Sequence, residues 1–182
     1  MKALKMIAIL IVLAAILVAC GGGGGGTGRP QELHRPAWWG QQTDPEFIFI
    51  YSSASGPNER AVRNQAQSVA MSDAALAVEA RVSTMMRDFM QEAGVNNPEM
   101  LSLTQRVTEA VAATRFRGAM ITNESTVRNP DGNFQVFVQY RIPASAVNGA
   151  LAGHVRNEEA LYNEFKATQG FQALEAAVNR AP

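Results

Sequence analysis

The chain has 182 residues, with 16 Lys/Arg against 16 Asp/Glu and a formal net charge of zero. This length fits a single domain. The even charge balance argues against a nucleic-acid binder, which shows a basic patch. Cys20 is the only cysteine, so no disulfide can form within the chain.

The chain opens with Lys2 and Lys5, followed by 13 residues dominated by apolar side chains, Met6 to Val18. A membrane-spanning helix needs about 20. Basic residues before a short apolar run read as a secretory signal peptide. The segment Leu17-Val18-Ala19-Cys20 resembles a bacterial lipobox. The resemblance implies that Cys20 receives a diacylglycerol group, that residues 1–19 are removed, and that the new amino terminus carries a fatty acyl group such as palmitate. Each buried CH₂ of such chains contributes about 0.8 kcal/mol to anchoring. The other reading is an uncleaved signal anchor with an incidental cysteine. The short apolar run and the lack of a stop-transfer flank argue against it. Gly21, rather than aspartate, follows the cysteine, and by the same resemblance this implies sorting to the outer membrane. Cleavage leaves 163 residues with 14 basic and 16 acidic side chains, a net charge of −2. No later stretch approaches the length of a membrane span.

Residues 20–43 read as the lipidated cysteine and a flexible tether: six glycines, then a polar stretch with Pro30 and Pro36. About 20 flexible residues give an r.m.s. reach of about 25 Å. Trp38 and Trp39 near its end have two readings, a contact with lipid or a partner, and a clamp packing the incoming chain onto the domain. The clamp is favoured, since large aromatics are usually well buried.

The folded domain is expected over 44–182. Phe47 to Tyr51 predicts a strand, buried on both faces or central, ending at the breakers Ser52 to Pro57. Asn58 to Ala93 predicts a helix with Ala66, Ala70, Ala74, Ala77, Val78, Val82, Met85 and Phe89 on its packing face. Gly94 stops it, and Asn97-Pro98-Glu99 restarts a second helix by capping, proline at the first position and an early acid. Met100, Leu103, Val107 and Ala110/Val111 line that second helix. About 36 helical residues span about 54 Å, whereas a domain of ~140 residues is about 37 Å across. The first helix should therefore bend, break or overhang, and a helical hairpin projecting from a small sheet is expected.

Phe116 to Val127 predicts a second strand. Asn129-Pro130-Asp131-Gly132-Asn133 is a turn, and Phe134 to Ile142 alternates as a half-buried strand with Phe137 misplaced on its polar face. Ser145 is read as the cap of a third helix carrying Val147, Leu151, Val155, Leu161 and Phe165; Gly170 interrupts it before a short last helix with Phe171, Leu174 and Val178. The pattern predicts an α+β domain: a three-stranded antiparallel sheet packed on a long helix, with a helical hairpin and C-terminal helices.

Several runs, in this order, resemble the LPP-twenty lipoproteins, outer-membrane proteins of about twenty kilodaltons. They are Pro36-Ala37-Trp38-Trp39, Phe47 to Ser55, Asn64-Gln65-Ala66, Asp73-Ala74-Ala75-Leu76-Ala77, and Glu159-Ala160-Leu161-Tyr162 to Phe165 with Phe171 to Leu174. The resemblance spans nearly the whole chain after the signal. It implies no enzymatic activity and no cofactor, and a membrane-held module that gathers as a homo-oligomer. One related branch, the flagellar lipoprotein FlgP, builds disks around the motor, so envelope or flagellar motor proteins are the implied partners. The family's small sheet on a long helix is similar to dodecin-like folds, which gives a small-ligand or lipid-binding module as the alternative.

Chemistry-bearing residues are sparse. His34 and His154 fall short of the about four ligands of a structural zinc site, so no metal is expected. Ser52, Ser53 and Ser55 lack a nucleophile elbow and read as turn formers. Asp44/Glu46 and Glu158/Glu159 do not face each other on a helix. Gly21 to Gly26 lacks the ending of a phosphate loop. Asp73 reads as solvated and, less simply, as a residue fixing helix register. Met85, Met86 and Met90 read as core filler. Arg115 and Arg117 flank Phe116 on the expected second strand, as ordinary edge arginines or contacts to an anionic partner. An enzyme, such as a cell-wall hydrolase, would need a converging pair of groups that the sequence does not offer.

Overall fold

The computed structural model describes residues 35–41 and 44–180. Cys20, the glycine run and His34 lie outside them. The compact unit begins at Arg35, so it takes in the Trp38-Trp39 segment that the sequence places in the tether. The element order is β1 (Phe47–Gly56), α1 (Glu59–Ala93), α2 (Pro98–Ala112), β2 (Met120–Arg128), β3 (Phe134–Pro143), α3 (Ala144–Asn157), α4 (Glu159–Phe165) and α5 (Gln169–Arg180). The fold is α+β, with one antiparallel sheet in the order β1-β3-β2.

β3 is the central strand. Val136, Phe137, Val138 and Gln139 are consecutive buried residues on it, so both of its faces are covered, which corrects the expected half-buried strand. β1 pairs with it over ten residues, from Phe47↔Pro143 to Gly56↔Phe134. The expectation of a doubly buried or central β1 is therefore corrected: β1 is an edge strand, with Ile50 and Ser52 buried on one face only. It also continues through Ser52–Ser55, where turn formers were expected. Alternation places Ser52 and Ala54 on the helix-facing side, and a small side chain is what that side accommodates. The Ser52 hydroxyl donates to the Ala66 carbonyl at 2.7 Å, which satisfies a buried polar group and ties β1 to α1.

α1 is one uninterrupted helix of 35 residues, about 52 Å long. Asn58 caps it by accepting from the Ala61 N–H at 3.0 Å, and Gly94 ends it with φ 69°. Its buried residues run Val62, Ala66, Ala70, Ala74, Val78, Val82, Met86 in strict steps of four. At about 100° per residue, each step rotates the row by about 40°, so over six steps it winds about 240° around the helix. The row therefore faces different partners along its length. Val62, Ala66 and Ala70 meet Val136 and Val138 of the sheet. Val78, Val82, Met86 and Phe89 join a larger cluster with Val107, Val111, Leu151, Phe165 and Phe171 from the other helices. The helix does overhang the sheet, and α2 folds back along it as the expected hairpin. The hairpin does not project free of the other helices, because α4 and α5 also pack on the C-terminal half of α1.

α2 begins as the sequence indicates, with Asn97 accepting from the Met100 N–H at 2.9 Å and Pro98 in the first turn. β2 starts at Met120 rather than Phe116. Gly118 takes φ 82°, which a strand cannot hold, and the Ala119 N–H closes a turn on the Phe116 carbonyl. Asn129 to Asn133 form the turn between β2 and β3, with Gly132 at φ 86°.

The expected third helix is two helices. Glu158 leaves helical geometry at φ −99°, ψ 91°. In a continuous helix Leu161 would sit about 240° around from Val155, away from its face; the break returns Leu161 and Phe165 to the core, where both are fully buried. Ser145 is not the cap of α3: Pro143 holds that position without a side-chain bond, and the Ala144 N–H goes to the Glu46 carbonyl at 2.8 Å. Gly170 lies inside the first turn of α5, where its N–H donates to the Glu92 carboxylate at 2.9 Å.

Candidate functional site

The two faces of the sheet differ in chemistry. On the face away from α1, cross-strand registry aligns Tyr51, Gln139 and Asn123, and next to them Ser53, Phe137 and Ser125. Gln139 is buried and wired in three directions. Its amide nitrogen donates to the Tyr51 hydroxyl at 3.0 Å, and its oxygen accepts from Thr122 at 2.9 Å and from Asn123. A register shift between Ile121 and Asn123 lets Thr122 and Asn123 both reach it. The Tyr51 hydroxyl in turn donates to the Gln41 carbonyl.

The segment Arg35–Gln41 closes over this row. Trp39 sets its ring edge-on to Phe137 with centroids 5.2 Å apart and lies 5.6 Å from Tyr51, while Trp38 stacks on Tyr51. The clamp reading of the tryptophans holds: they cover Phe137, the apolar residue on a polar face, which is fully buried. At the far end of the same face the Arg141 guanidinium stands 4.4 Å from the Phe47 ring centroid. Tyr51, Gln139, Thr122 and Asn123 are thus engaged with one another, as in a scaffold, whereas the buried Arg141 Nε has no hydrogen-bond partner among the described residues.

The face toward α1 carries an open groove of about 690 Å³. It lies where the alanine-rich middle of α1 crosses β3 and the α2–β2 connection folds over both. Ala74 and Ala75 of α1, Ala112 and Ala113 at the end of α2, Phe116 of the connection and Ile142 of β3 are on its lining. Small side chains on the lining leave the space. Arg115 is the one charged residue on the lining. A second groove of about 650 Å³ between α1 and α2 is lined by residues of both charge signs, among them Glu79, Arg87 and Glu109.

The residues singled out in the sequence do not converge. Ser52 is used structurally; Ser53 and Ser55 lie in β1. His154 is half-buried near the end of α3. Asp73 is half-exposed and belongs to none of the three ion pairs among the described residues. Asp44 accepts from the Glu46 N–H in a local turn, and Glu158 and Glu159 flank the helix break. Met86 and Met90 are core, with Met85 packed against them. Arg115 and Arg117 stand in the α2–β2 connection rather than on a strand, which corrects their expected place. No group of three His, Cys, Asp or Glu side chains with metal-binding geometry occurs among the described residues. No described helix is long and apolar enough to cross a membrane.

The Tyr51–Gln139–Thr122 row was not found from sequence, and the ligand-binding alternative supplied only a groove between sheet and helix, without its residues. Phe137 out of phase was the available signal for the covered face. The residues lining the groove had none, because they come from three separated segments.

No protein-family model, curated protein or solved structure matches this chain. The α+β class of the domain therefore stands on its own geometry.

Proposed function

We propose that this chain is a lipid-anchored outer-membrane lipoprotein of the LPP-twenty type, with a structural or assembly role in the cell envelope and no catalytic one. The observation that carries the reading is Leu17-Val18-Ala19-Cys20, placed after a short apolar run and before six glycines. Two features of the domain support it. Arg35–Gln41 is fastened to the sheet by Trp38, Trp39 and a hydrogen bond, so a pull on the preceding chain is received by the central sheet. Met71 and Leu76 are 55% and 61% exposed on α1, two separate apolar side chains about 140° apart around the helix that association with further copies would cover.

The test is intact-mass analysis of protein taken from the membrane of a diderm host grown with an alkyne-bearing fatty acid. The expected species lacks residues 1–19, is acylated at Cys20 and carries the label; Cys20→Ala abolishes labelling. A full-length chain with a free thiol would overturn the reading. Rings or disks in images of the extracted protein are the expected sign of assembly, and Leu76→Glu with Met71→Glu should disperse them.

A further inference from the structure

We infer that the groove between α1, β3 and the α2–β2 connection is a binding site for a single-chain carboxylate amphiphile, a long-chain fatty acid. Its volume, about 690 Å³, falls within the roughly 300–1,000 Å³ of sites that enclose drug-sized ligands. Its lining is mostly small or apolar, with Ala75 from α1, Ala112 from α2, and Phe116 and Ile142 among them, while Thr114 and Tyr140 add polar atoms. Such a lining favours a flexible alkyl chain, which gains from each methylene removed from water and asks for no polar partner along its length.

The polar end is set by charge. Arg115 stands on the lining with no carboxylate on the same walls, and it joins none of the ion pairs among the described residues. One exposed guanidinium at the edge of a mostly apolar groove, with no carboxylate on the lining, matches one anionic head on one chain. The flat, forked donor geometry of arginine suits a carboxylate in particular. Met71, also on the lining and 55% exposed, is an adaptable apolar side chain that adds to the surface an alkyl chain would meet. The site is distinct from the acyl groups proposed at Cys20 and does not depend on them.

The experiment uses the full chain in phosphatidylcholine vesicles with a diazirine-bearing palmitic acid, irradiated and mapped by peptide mass spectrometry. Labelling is expected on the peptides holding Met71–Ala75 and Ala112–Ala119, and excess palmitate should suppress it. Ala75→Trp, a change at an exposed position that fills the channel, should abolish this labelling while thermal unfolding stays as in the parent. Arg115→Glu should weaken competition by palmitate about fivefold, the scale of one partly exposed charge pair, and leave competition by uncharged hexadecanol unchanged. Labelling confined to residues 1–34, labelling indifferent to Ala75→Trp, or equal competition by palmitate and hexadecanol in the parent would each overturn the site. Cys20→Ala should retain groove labelling, so failure of the anchor and failure of the groove are told apart.

Discussion

Gly170 shows how far a single residue's neighbourhood governs its identity. A Cβ placed there would lie 2.9 Å from Cε1 and 3.0 Å from Cδ1 of Phe89, and 3.1 Å from the Glu92 carboxylate. Phe89 cannot step aside, since it is wedged between Phe165 and Phe171 with centroids 5.7 Å from each. Gly170→Ala should therefore cost about 1–3 kcal/mol, the usual range for overpacking, read as a lower urea midpoint with unchanged slope. The sequence marked Gly170 only as an interruption; the close approach comes from α1, 78 residues away. Trp39 is the second such residue. Its replacement by alanine uncovers Phe137 and should lose about 2 kcal/mol, less than the ~3–5 kcal/mol of a fully buried aromatic. Hydrogen exchange at β3 amides should quicken in the same variant; unchanged exchange would mean that the clamp does not protect the sheet.

At the scale of elements, α1 is the organiser. Its N-terminal half is alanine-rich because it lies on a sheet, and its C-terminal half carries valine, methionine and phenylalanine because it lies among helices. The residue sizes thus report which partner each half meets. Ala66 is fully buried, with its carbonyl held by Ser52. Ala66→Leu should push the helix off the sheet and cost about 1–3 kcal/mol or more, whereas the same change at exposed Ala80 should stay within about 0.5 kcal/mol. Circular dichroism melts of the two variants decide this. The stop and restart between the first two helices were legible in sequence because they rest on local bonds: Gly94, Asn97 and Pro98 act as expected, while the capping role of Asn58 emerged from the structure. The break at Glu158 was not, because no proline or glycine marks it; it is imposed by the burial of Leu161 and Phe165.

For the whole domain, the two apolar clusters share α1 and Tyr140. A rigid helix through both makes independent unfolding of either costly. Denaturant unfolding of the parent should be a single transition, with tryptophan fluorescence from the clamp and far-ultraviolet dichroism coinciding. Val82→Ala, in the helical cluster, should shift both signals together by about 1–2 kcal/mol. Separate midpoints would show that the sheet and helical layer are autonomous. The ion pairs Arg63–Glu124 and Arg156–Glu175 are partly exposed and add little to this cooperativity.

Taken alone, the sequence determined what depends on neighbours along the chain: the α+β class, the stop at Gly94 and the restart at Asn97-Pro98, the turn at Asn129–Asn133 and the lipobox-like segment that carries the proposed address. Only the tertiary structure decided that β3 rather than β1 is central and covered on both faces, that the tryptophans cover Phe137, that the third helix breaks, and which residues line the groove beside Arg115. The physical reason is one of range. Caps and turns are closed by hydrogen bonds spanning a few residues, so their signals sit side by side in the chain. Strand order, a covered sheet face and a groove arise where segments tens of residues apart exclude water together, and no local pattern records which segments those are.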